Sequence, residues 1–113
     1  MEGTYEGMIH ISDQVIAKIA RKVVLETKPI VSMPKGIVEN FVKRMRGVHA
    51  QQGVMVDANQ QEVALNLTIN VTYGCKIHEV CYELQRSVTK EVEHMTGLMV
   101  KEIHVTVEGL VLS

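Results

Sequence analysis

Residues Glu62–Gly74 read EVALNLTINVTYG. Val63, Leu65, Leu67, Ile69, Val71 and Tyr73 take the odd positions, and Ala64, Asn66, Thr68, Asn70 and Thr72 the even ones. Strict alternation over this length is the two-residue period of a strand with one buried and one wet face. At helical spacing the same apolar groups would be scattered around the whole circumference. A slip of one residue would carry the whole apolar set into water, so the segment sets its own register. It predicts the central strand of an antiparallel sheet on which the rest of the chain packs.

The flanking segments supply the other elements. Tyr5–Ile11 reads as a first strand, with Ile9 and Ile11 on one face and Met8 and His10 on the other. Ser12 stands where an N-cap belongs, with Asp13 in the first turn. Val15, Ile16, Ile19, Ala20 and Val23 then form the apolar stripe of a helix that ends near Leu25–Thr27, before Pro29. Lys28–Gln52 is irregular and is punctuated by Pro29, Pro34 and Gly36. Inside it, Ile37, Val38, Phe41, Val42 and Met45 keep the spacing of a short second helix. Gly53–Asp57 predicts a short strand joined by a tight turn to the central one. After Gly74, the residues Ile77, Val80, Cys81, Leu84, Val88, Val92 and Met95 mark a long amphipathic helix, Ile77–Thr96, with Gly97 as its C-cap. Val100–Val107 alternates again as a last strand, with Ile103, Val105 and Val107 inward and His104 and Thr106 outward. The expected fold is α/β, an α+β two-layer sandwich. It has a four-stranded, mainly antiparallel sheet with two main helices and one short helix on one face.

The 113 residues suit one domain spanning 1–113. A formal net charge of −1 gives no general electrostatic reason to bind nucleic acid or an acidic membrane. No apolar run reaches the roughly 20 residues of a membrane span, and the N-terminal residues lack a basic-then-apolar signal pattern. With only Cys75 and Cys81, the composition suggests a reduced, cytoplasmic protein.

Several segments together resemble the alkaline shock protein family, small envelope-stress-response and general stress proteins of Gram-positive bacteria. They are Gly7-x-Ile9-x-Ile11-Ser12 with Val15-Ile16 and Ile19-Ala20, then Gly53-Val54-x-Val56, then Tyr73-Gly74-x-x-Ile77 with Glu79-Val80, Gln85 and Val88. The most specific is Met95-Thr96-Gly97-Leu98-x-Val100-x-x-Ile103-x-Val105-x-Val107-x-Gly109. The chain departs from the family pattern at Glu26–Lys35, where a shorter glycine-containing connection is usual. The resemblance implies a non-enzymatic, self-associating protein with a scaffolding role. It also implies a place at the membrane only through a separate anchored partner, with no catalytic residues and no cofactor.

Read residue by residue, the chain offers few chemical groups. Cys75-x-x-His78-x-x-Cys81 is the one constellation of metal-ligand types. Against a metal or thiol role, Cys81 falls on the apolar helix stripe, where a small buried thiol is common. Lys35–Arg46 carries Lys35, Lys43, Arg44 and Arg46. This basic run suggests a small RNA-binding module as an alternative, but without interleaved aromatic groups it reads as a solvated helix face, and no nucleic acid is expected. His10 and His104 share the outward parity and would meet if their strands were neighbours. The expected interaction surface is the wet sheet face: Asn66, Thr68, Asn70, Thr72, His104 and Thr106. Ser12, Gly74 and Gly97 are read as caps and turns.

Overall fold

The computed structural model describes residues 9–33, 49–51 and 53–112. The first helix, α1 (Asp13–Glu26), starts where Ser12 Oγ accepts the Val15 N–H at 3.3 Å. It buries Ile16, Ala17, Ile19, Ala20 and Val24. Two short strands follow, β1 (Ile30–Ser32) and β2 (His49–Gln51), then β3 (Val54–Ala58) and the 11-residue β4 (Glu62–Thr72). The long helix α2 (Ile77–Thr96) leads into the 13-residue β5 (Met99–Val111).

Strand β4 is the axis of the sheet. Its odd residues Val63, Leu65, Leu67, Ile69 and Val71 are all buried, as the alternation requires. On one edge it pairs antiparallel with β3 along its first half (Val56↔Leu65, Val54↔Leu67) and with β1 near its end (Ile30↔Val71). Strand β2 adds outside β3. The β3–β4 turn is an Asx turn, in which Asn59 Oδ1 accepts the N–H groups of Gln61 and Glu62 at 2.8 Å. Both helices lie on the odd-residue face. There Leu84, Val88 and Val92 of α2 and Ile16, Ala20 and Val24 of α1 close the core with the sheet.

The fold is α+β, as read from the sequence, but the sheet is mixed. Three principal strands and two three-residue strands replace the expected four-stranded, mainly antiparallel arrangement. Strand β5 runs parallel to β4 along its whole length, from Glu62↔Met99 to Thr72↔Val111. The reason is geometric. The 20 residues of α2 span about 30 Å, close to the ~36 Å of β4. The helix therefore returns the chain to the start of β4, and the next strand must leave in the same direction. The expected first strand is not seen among the described residues, since Ile9–Ile11 lie in no strand and Tyr5–Met8 fall outside them. The expected short helix at Ile37–Met45 and the basic segment Lys35–Arg46 also lie outside the described residues.

The turns into and out of α2 follow local chemistry. Gly74 at φ 97 and Gly97 at φ 77 take the left-handed conformation that a side chain would resist. Thr96 Oγ1 donates to Val92 O at 2.6 Å and accepts from Leu98 N at 3.1 Å, fixing the turn into β5. Two register shifts in the β4–β5 pair fall between Val63 and Ala64 and between Ile69 and Asn70. They leave Lys101 and Glu108 as bulge residues, so Val100 and Ile103 can both face the core while the charged Lys101 between them stays exposed.

Candidate interaction surfaces

The even face of β4, which neither α1 nor α2 covers, is built in rows across three strands. Ala64 stands between Asp57 and Glu102, Asn66 between Met55 and His104, and Thr68 beside Thr106. Further along, Asn70 stands between Ser32 and Gly109, and Thr72 beside Val111. The predicted residues therefore do share one face, with Asn66, His104 and Thr106 exposed and Thr68, Asn70 and Thr72 half-buried.

They are not equally available. Asn70 Nδ2 donates to Ser32 Oγ at 3.1 Å, and Thr72 Oγ1 donates to Pro29 O at 3.4 Å. Those two side chains fasten β1 to β4 within the chain. Asn66, Thr68 and Thr106 remain as the uncharged, outward-facing set. His104 Nε2 lies 3.1 Å from Glu102 Oε1 on the same strand face, both well exposed. Asp57 stands in the same row as Glu102, and Lys101 shares that end of the sheet with Asp57 and Glu62, so its charges are mixed, which the alternation of β4 alone did not show. His10 is exposed, precedes α1 and belongs to no strand, so the condition for its meeting His104, two neighbouring strands, is not met.

The Cys75–His78–Cys81 constellation does not assemble. Among the described residues no group of three or more His, Cys, Asp or Glu side chains is arranged to hold a metal ion. Cys75 and Cys81 are half-buried free thiols, and His78 is exposed. Burial pushes the Cys81 thiol above its ordinary range, and the neighbouring Cys75 adds to the shift. The thiolate that metal binding or nucleophilic chemistry needs is thereby disfavoured.

A second concavity runs between α1 and α2, lined by Lys18, Lys22, Glu26, Lys90, Glu91 and Met95 among others. Its charges are mixed, and Lys22 is held by Glu26 one turn on, at 2.6 Å.

The edge of β5 is treated unevenly. Glu93 Oε2 accepts the Val100 N–H at 2.9 Å, and Gln85 Nε2 donates to Ile103 O at 3.0 Å. Helix α2 thus reaches down to satisfy backbone groups at the start of the strand. Farther along, Leu110, Val111 and Leu112 are exposed, as is Tyr73, whose N–H donates to Val111 O at 2.9 Å. Neither guard was legible in sequence, because Gln85 and Glu93 read as ordinary polar positions on an amphipathic helix.

Residues 1–112 match the family model for alkaline shock protein 23, described as of cell envelope-related function. The chain belongs to this family. Among relatives, Uncharacterized protein YloU of Bacillus subtilis is 30% identical over 95% of this chain and 91% of its own length. Uncharacterized protein YqhY of the same organism is 27% identical over 96% and 81%. Uncharacterized protein Spy1614 of Streptococcus pyogenes is 28% identical over 95% and 90%. MamM CTD in its zinc form superposes with a TM-score of 0.48 over 85% of this chain and 84% of that chain, at 14% identity. No helix among the described residues is long and apolar enough to cross a membrane.

Proposed function

We propose that this chain is a non-enzymatic interaction module of the cell-envelope stress response. On this reading it works by self-association and is recruited to the membrane by an anchored partner. The observation that carries it is the helix-free sheet face. Asn66, Thr68 and Thr106 lie together there, uncharged, and no described element covers them. Such groups hydrogen-bond across an interface without the desolvation cost of buried charge, whereas a face kept wet usually carries Lys and Glu. Family membership supports the envelope setting.

Light scattering of the wild type beside Thr68→Lys/Thr106→Glu tests the reading. The two positions are direct neighbours on β4 and β5, so the new charges pair within the monomer and leave net charge unchanged. The wild type is expected to form assemblies that the variant loses. A wild type that stays monomeric at about 100 µM and physiological salt, where surface charge is largely screened, would overturn the proposal.

A further inference from the structure

Strand β5 has two unlike halves. The backbone alternates along it. Met99 N donates to Gln61 O at one end and Tyr73 N to Val111 O at the other, and two single-residue shifts lie between. Counting through those shifts, the peptide groups of Val100, Ile103, Val105, Val107 and Leu110 point away from β4. The Glu93 and Gln85 bonds to Val100 and Ile103 agree with that count and occupy the first two. No other strand pairs with β5 among the described residues. From Val105 onward no side chain among the described residues guards the edge, and it carries no proline. Its only charge is Glu108, and Leu110 (50%) and Leu112 (75%) are exposed beside it. An unguarded edge of this kind is a template for another strand.

The sequence of that half fits its own copy. Consider antiparallel pairing across a two-fold axis through Val107, with the bulge at Glu108–Gly109 counted as one position. Val107 then faces Val107 of the second copy, and Val105 faces the second copy's Leu110. All three lie on the helix side, where Val105 and Val107 are only half-buried against the core. The pairing covers them and removes Leu110 from water. The alternative axis through Val105 sets Glu102 against Glu108 of the other copy, twice, and like charges directly opposite are disfavoured.

We infer that two copies of this chain join through the Val105–Leu110 edge of β5, antiparallel and centred on Val107, into one continuous sheet. A two-fold axis normal to the sheet puts both helix-free faces on the same side, so the pair presents a doubled polar face. The inference rests on the self-association proposed above and adds a second contact to it: the edge makes the pair and the polar face joins pairs, so Thr68→Lys/Thr106→Glu keeps the edge dimer and loses the larger assemblies.

The test uses the full chain. Leu110→Lys/Leu112→Lys changes only exposed side chains, so it should melt cooperatively like the wild type while dimer affinity falls at least about tenfold in sedimentation velocity. Separately, Val107→Cys in a Cys75→Ser/Cys81→Ser background should give a covalent dimer with oxidised glutathione. Paired strands hold opposed Cα atoms about 5.5 Å apart, within disulfide reach. Gln14→Cys, exposed on α1 and away from both the β5 edge and the polar sheet face, should not in the same background. Wild-type dimers that persist unweakened in the lysine variant, with no cross-link at Val107→Cys, overturn the edge and leave self-association standing. A wild type that is monomeric at about 100 µM in physiological salt overturns both.

Discussion

Asn70 lies across Gly109 so closely that a Cβ at residue 109 would stand 2.6 Å from Asn70 Oδ1. The same amide donates to Ser32 Oγ at 3.1 Å, so one side chain touches both β1 and β5 from its place on β4. A methyl group at 109 would have to push the amide aside and break its bond to Ser32. Gly109→Ala is therefore expected to cost about 1–2 kcal/mol, the scale of a lost hydrogen bond with mild overpacking. In Asn70→Ala the space is open, and the glycine substitution should cost several-fold less. Denaturant melts of the two single variants and the double variant give the coupling directly. Simple additivity would mean that the contact does not matter.

Leu67 and Thr68 test the two-sided character of β4. Leu67 is fully buried. Leu67→Ala is expected to cost about 2–5 kcal/mol, and Thr68→Ala, on the other face, under about 1 kcal/mol. Equal losses at both positions in urea melts would contradict the structure.

Gln85 and Glu93 are expected to stabilise the fold through backbone bonds to β5, although both sit on a helix side that otherwise faces water. Glu93→Ala should cost about 1–2 kcal/mol and speed amide exchange at Val100, while Gln85→Ala should cost about 1 kcal/mol. Exchange measured by NMR separates the two, because Gln85 caps a carbonyl and should leave the Val100 amide slow.

The Cys81 thiol gives a signed pH prediction. Burial raises its folded-state pKa, so the folded state holds the proton more tightly than the unfolded chain. The stability associated with the neutral thiol is fully present below the unfolded value, about 8.5, and is lost as pH rises through the folded value. Melting temperature should then fall more from pH 7 to pH 10 in the wild type than in Cys81→Ala. Parallel curves for the two proteins would remove Cys81 from any alkaline response.

The buried face of β4, both helices and their caps were legible because each rests on a local rule: a two-residue period, an apolar stripe, Ser12 before Asp13, Gly97 after Thr96. The parallel run of β5 beside β4 was not legible in the sheet expected as mainly antiparallel, because an alternating strand looks the same beside a parallel or an antiparallel partner. The length of Ile77–Thr96 held the answer. Ile30–Ser32 was missed because three residues carry no period. Asn66, Thr68, Asn70, Thr72, His104 and Thr106 were placed on a common face correctly. That Asn70 and Thr72 are engaged by Ser32 and Pro29 depends on a strand about forty residues away, which no local pattern announces. The grouping of Cys75, His78 and Cys81 was a spacing argument, and spacing alone does not bring three side chains to one point.

Strands β1 and β3 occupy successive stretches of the same edge of β4. The chain therefore leaves that edge after Ser32 and comes back to it at Val54, with both ends already anchored on one strand. The distance between the anchors is set by β4, not by the number of residues joining them. The closure of that connection is therefore held from outside itself, by the Ile30↔Val71 and Val54↔Leu67 rungs at its two ends.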